Sequence, residues 1–196
     1  MRGPKQQRPR KIIMTYAIGL EYLDIYRERC KEILHRKSLG DLDKIDFYVS
    51  LHFVLEIGLN AVFRRISLSS LKKDVDSFEV IKNLDGIEFI DKTILFTYNS
   101  NFDFGDRLPE AAEHHKVINR MRSFAYMRNA IAHGHSVIST GEDSSELRRR
   151  LDKDPSEQIA LFRSILASMR FFIECLRIDE PLKASLMPYL DDSFLD

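Results

Sequence analysis

Apolar residues recur along this chain at spacings of three and four, and the places where that rhythm stops mark its elements. Ile13, Tyr16, Leu20, Leu23, Tyr26, Cys30 and Ile33 fall on one face of a helix expected over about residues 12–37. Gly40 and Asp41 mark a turn, and a second helix is expected from about Asp43 to Arg65. That segment is apolar almost all round, which places it at the centre of a bundle. Residues 67–83 are polar with room for a short helix, and 84–98 admit either helix or strand, with helical surroundings favouring helix. After the loop NSNFDFGDRL, Pro109 sits well at the first turn of a helix expected over 109–132, with Gly134 just past its end. Residues 135–154, containing Gly141, Ser144 and Ser145, read as a loop or hinge. Asp154-Pro155-Ser156-Glu157 then reads as a capped helix start. The helix that follows carries Ile159, Phe162, Leu166, Met169, Ile173 and Leu176 in three-four alternation and stops before Pro181.

The expected fold is therefore all-α: an antiparallel bundle of about five main helices in one domain over 12–180. A flexible basic arm over 1–11 precedes it and a mildly acidic tail over 181–196 follows. A chain of 196 residues suits one domain and needs no disulfide or metal staple. Cys30 and Cys175 are far apart inside predicted helices and offer neither a metal spacing nor a disulfide framework, which fits a reducing compartment. The N-terminal MRGPKQQRPRK followed by Ile12–Leu20 imitates a signal peptide, but the apolar run enters Glu21, Asp24 and Arg27 with no small-residue cleavage site. The apolar run from Phe47 to Phe63 is interrupted by His52, Glu56 and Asn60, so a membrane span is not expected and a cytoplasmic location is. With 30 basic and 30 acidic residues the chain lacks the excess charge of a protein that coats nucleic acid, so any RNA contact needs a local patch.

Three departures from the pattern carry the candidate chemistry. Val117, Met121, Phe124 and Ile131 form a stripe whose missing member, position 128, is Arg128. A guanidinium at an apolar position is costly unless it is paired or lines a cleft, and local rules tend to be broken at functional sites. His133 follows five residues later, at a helix end whose carbonyls favour an imidazolium and where Gly134 lets the chain swing. On the second helix His52, Glu56, Asn60 and Arg64 are four apart and make one polar stripe, with Glu56 the expected partner of Arg128. Read structurally, the same residues are a buried Glu56–Arg128 pair that fixes register.

The run Arg128-Asn129-Ala130-Ile131-Ala132-His133, late in a helical chain, resembles the Arg-x4-His signature of HEPN (higher eukaryotes and prokaryotes nucleotide-binding) domains, with a polar residue directly after the arginine. LHFVLEIGLNAVFRR and IEFIDKTILF are more loosely similar to earlier helices of such proteins, and the resemblance covers about residues 12–178. It implies a HEPN-like bundle, a homodimer in which two motifs meet in one cleft, and often metal-free RNA cleavage in toxin, phage-defence or stress roles. An antitoxin or other regulatory protein is then a candidate partner. Other members bind nucleotides, RNA or protein partners without catalysis, which is the alternative.

RNA carries its own nucleophile, the 2′-hydroxyl, so cleavage needs a base, an acid and positive charge on the phosphorane rather than a metal-bound water. Two copies of His133, one neutral and one protonated, supply base and acid from one position in a two-fold dimer. Arg128 offers a forked donor set for phosphate oxygens and Asn129 an orienting group. The catalytic candidates are thus Arg128, His133 and Asn129, supported by Glu56, Asn60 and His52, with Arg122, Tyr126 and His135 as substrate contacts. Tyr98, Phe102 and Phe104 are base-stacking candidates or a cover for the bundle. Arg120, Arg122 and Arg148–Arg150 are backbone-tracking candidates, although a solvated loop accounts for Arg148–Arg150 as well. His114, His115, His133 and His135 lack the i, i+4 spacing and completing acid of a zinc site, so neither metal nor cofactor is expected.

Overall fold

A computed structural model describes residues 10–70, 77–99, 101–132, 151 and 155–196, with side chains described from residue 21 onward and not at 77, 78 and 99. These residues form an all-α bundle with no strand among them; an isolated antiparallel bridge joins Phe102 to Leu176. The elements are α1 (Arg10–Leu34), α2 (Asp41–Ser69), α3 (Ser77–Asp85), α4 (Phe89–Asn99), α5 (Leu108–His114), α6 (Val117–Ala132), α7 (Ser156–Cys175) and α8 (Glu180–Leu186).

The near-continuous apolar run of α2 makes it the axis of the bundle, in contact with α1, α3, α4, α6, α7 and the C-terminal segment. Phe47, Leu51, Leu55, Leu59 and Val62 are buried along it. By length and composition α2 could also cross a membrane, yet eleven of its residues are buried in the bundle. The stripes read in the sequence bury as their period requires: Leu23, Cys30 and Ile33 on α1, and Phe162, Leu166, Met169 and Ile173 on α7. Both cysteines are free and buried, and burial pushes the Cys30 thiol up to about 12, so it packs as a small apolar group. The segment that admitted helix or strand is α4.

Two features depart from expectation. The helix expected over 109–132 breaks at His115–Lys116, where the Lys116 N–H bonds Glu113 O (3.2 Å), three residues back. Two adjacent imidazoles are packed on different rings there: His114 stacks on Phe171 at 4.0 Å between centroids and His115 on Tyr98 at 5.0 Å. Residues 181–196, expected as a tail, instead close the bundle. Leu186, Tyr189, Leu190 and Leu195 are buried, and arginines from three helices hold the segment: Arg27 to Pro188 O (2.7 Å), Arg65 to Ser185 O (3.3 Å) and Arg170 to Leu190 O (3.1 Å). The approach is so close at Gly58 that a Cβ there would stand 2.5 Å from Tyr189 O. The basic arm falls almost wholly, and the 135–154 hinge with its Arg148–Arg150 run almost wholly, outside the described residues. The capping Asp154 does as well, and Pro155, at the N-cap of α7, makes no side-chain cap bond.

Candidate functional site

The polar stripe of α2 faces the corner between α3 and α4, and each member meets a partner there or on its own helix. His52, only 4% exposed, stacks on Phe124 of α6 (5.9 Å between centroids) and presents Nε2 to Glu56 Oε2 at 3.4 Å. Its Nδ1 is buried without a hydrogen-bond partner among the described residues. One turn on, Asn60 Oδ1 accepts from Lys92 Nζ at 2.8 Å, and one turn further Arg64 Nη2 and Nε donate to Asp85 Oδ1 at 2.7 and 3.0 Å. Between these side chains lies a cleft of about 360 Å³, lined by Glu56, Asn60 and Arg64 on one wall and by Asp85, the 86–89 corner and Lys92 on the other.

The electrostatics follow from this packing. The hydrogen bond from His52 holds the Glu56 carboxyl below the usual carboxylate range; burial opposes the shift, and the charges of Arg128 and Lys92 reinforce it. Lys92 is 6% exposed, and burial lowers the pKa of its ammonium. Among the described residues no carboxylate lies within ion-pair distance of it. The sequence reading missed Lys92, although its signal matches that of Arg128. It falls three residues after Phe89 and four before Phe96, and so puts a cation where the apolar spacing of α4 calls for a hydrophobic side chain.

Arg128 sits on the last turns of α6, half-buried, and donates from Nη1 to Asn129 Oδ1 at 2.9 Å, while Asn129 is exposed. The expected Glu56–Arg128 ion pair does not form: Glu56 is drawn to His52 and feels Arg128 only as a neighbouring charge. The reason lies in how the stripe continues. After Val117, Met121 and Phe124 the core takes Met127 (1% exposed) and Ala130 (3%), so position 128 falls at the margin of the core and Ile131 is half-buried. The guanidinium thus reaches solvent without leaving the neighbourhood of α2.

Of the remaining candidates, Arg122 is exposed and Tyr126 half-buried on the same helix, while His133 and His135 lie outside the described residues. Phe102 and Phe104 stack on each other and pack against Phe172 and Phe171, covering the bundle, whereas Tyr98 stays 65% exposed beside His115. Arg120 is held by Ser168 Oγ (3.0 Å) and Glu113. His114 Nδ1 meets the same Ser168 Oγ at 3.2 Å. No group of three or more His, Cys, Asp or Glu side chains among the described residues is placed to hold a metal ion. No protein-family model, curated protein or solved structure matches the chain.

Proposed function

We propose that the chain is a HEPN-type endoribonuclease that acts as a cytoplasmic homodimer without metal. The observation that supports this reading best is Arg128 itself. It breaks the apolar period of α6, stands half-buried at the edge of the core, and among the described residues has the Asn129 amide as its hydrogen-bond partner rather than a carboxylate. An arginine that serves only the fold is normally matched to a carboxylate or a row of carbonyls. One held by a neutral amide keeps its charge for an incoming anion, and its planar fork suits phosphate oxygens.

In the proposed reaction one copy of His133 removes the 2′ proton, the 2′ oxygen attacks phosphorus, and the other copy of His133 protonates the departing 5′ oxygen. Arg128 and Asn129 stabilise and orient the phosphorane between them. The ends produced are a 2′,3′-cyclic phosphate and a 5′-hydroxyl. Glu56, ionised and set by His52, holds the local field in which Arg128 works.

The test is His133→Ala. Cleavage of single-stranded RNA should fall by about two to four orders of magnitude while the helical content and melting stay close to wild type. Undiminished cleavage by nuclease-free preparations of the variant refutes the proposal, as does complete loss of wild-type activity on adding a chelator. One observation favours a second reading, a binding module without catalysis: the polar cleft at Lys92 offers a ligand site that involves no histidine beyond the described residues.

A further inference from the structure

The cleft between α2 and the α3–α4 corner has hydrogen-bonding capacity that its own residues leave unspent. Lys92 Nζ has three N–H donors and gives one to Asn60. Because an ammonium only donates, the Asn60 atom it meets is the carbonyl oxygen, which leaves the Asn60 amide N–H groups free to donate into the cleft. The two oxygens of Glu56 offer about four acceptor sites, and His52 takes one. Phe89, half-buried on the wall, adds a ring face. Arg64 and Asp85 neutralise each other, so the charge that governs the interior is the adjacent pair of Lys92 and Glu56.

This set selects against simple ions. A free phosphate would gain from Lys92 but stand beside Glu56 and Glu88, and a divalent cation would meet the ammonium and the Arg64 guanidinium. The fitting ligand is a planar group with an acceptor next to two adjacent donors: the acceptor toward Lys92 and Asn60, the two donors side by side on the Glu56 carboxylate. Among nucleobases guanine alone carries that edge, with O6 beside N1–H and N2–H₂. Adenine, cytosine and uracil each lack the second adjacent donor. A volume of about 360 Å³ admits a base with its sugar, and Phe89 provides a stacking surface of the kind that unpaired bases use.

We infer that the cleft bounded by Glu56, Asn60, Phe89 and Lys92 is a guanine-binding pocket, filled either by a free guanosine nucleotide or by an unpaired guanine of RNA. Glu56 belongs to the pocket and also lies in the field of Arg128. In its RNA form the inference rests on the ribonuclease reading and names the base next to which that enzyme cuts; in its free-nucleotide form it stands without that reading.

The experiment uses the full chain carrying His133→Ala, so that RNA survives the titration and binding is scored apart from cleavage. Calorimetric titration with GMP, IMP and AMP should rank them in that order. IMP lacks the N2 amine, and each lost charge-assisted bond should weaken binding about tenfold. Glu56→Gln, which keeps the shape, should bring GMP to the level of AMP, and Lys92→Met should weaken GMP about tenfold or more, with melting curves confirming that both variants fold. A parallel titration with hexaribonucleotides that differ only in one central G or A separates the sources. Preference in both arms, or for the mononucleotide alone, assigns a free nucleotide ligand; preference for the G hexamer alone assigns RNA. No guanine preference in either arm, or a preference that persists in Glu56→Gln, overturns the pocket. Cleavage by the wild-type chain, measured separately, decides the nuclease proposal whichever way the pocket falls.

Discussion

The molecule uses its cations in two ways, and they are best seen side by side. Under the C-terminal segment, each guanidinium reaches a carbonyl or a carboxylate directly: Arg27 on Pro188 O, Arg170 on Leu190 O and Asp192, Arg163 on Asp192 and Asp196. At the cleft and the edge of α6, Lys92 has a neutral amide oxygen and Arg128 the amide oxygen of its chain neighbour. In the first arrangement the terminal N–H groups are answered by atoms of the fold, in hydrogen bonds that span from α1 and α7 to the last residues, although Arg27 Nε and Arg163 Nε are buried without a hydrogen-bond partner among the described residues. Among the described residues the second leaves charge unanswered where a ligand can reach it. The same residue types thus divide by what they meet: a cation answered by the fold holds it, and one left with a neutral partner is a candidate for function.

Mutations should respond accordingly, and the largest response belongs to the closed region. Gly58→Ala puts a Cβ 2.5 Å from Tyr189 O, a backbone atom that cannot rotate away. Either α2 shifts or the C-terminal segment lifts, and urea unfolding should show a loss of about 3 kcal/mol, at the upper end of overpacking. Arg170→Met comes next: it strips the Leu190 carbonyl of its donor and leaves Asp192 with Arg163 alone, and the loss should be about 2 kcal/mol. Lys92→Met should behave oppositely, with stability within about 1 kcal/mol of wild type or above it, because replacing a buried ammonium that has no carboxylate partner among the described residues removes a desolvation cost. If Lys92→Met unfolds as readily as Arg170→Met, the distinction between the two regions collapses.

How far this division can be read in the sequence depends on whether the signal is periodic. The stripes of α1, α2 and α7 are long and strict, so the helices and their buried faces follow from spacing alone, and the polar stripe from His52 to Arg64 was visible for the same reason. The tail was misread because its apolar residues, Leu182, Leu186, Tyr189, Leu190 and Leu195, sit in short turns around Pro181 and Pro188. Seven- and four-residue elements are too short to show a period. The pairing of Glu56 was misread because spacing places a residue on a face without choosing among neighbours. His52 is one turn away on the same helix, whereas Arg128 must arrive from another and was drawn to the edge when Met127 took the core position. Lys92 escaped notice because α4 is only eleven residues long and flanked by segments that blurred helix and strand.

The smallest expected effect is also the most selective. Burial lowers the pKa of the Lys92 ammonium in the folded chain, with Arg64 adding to the shift and Asp85, Glu56 and Glu88 opposing it. In the unfolded chain the same group holds its proton to about pH 10.4. Between the lowered folded value and the ordinary unfolded one, the unfolded state binds more protons, so stability rises as pH climbs through that window. The contribution is fully present above the unfolded value and is lost as pH falls through the folded one. Wild type should therefore gain on Lys92→Met in melting experiments as pH is raised from neutral toward 10, since the other four charges are common to both chains and cancel in the difference. Saturating GMP sharpens the test. An acceptor seated on Nζ stabilises the charged form and brings the folded pKa back up, so the pH-dependent gain should shrink when the pocket is filled and persist when AMP is supplied instead.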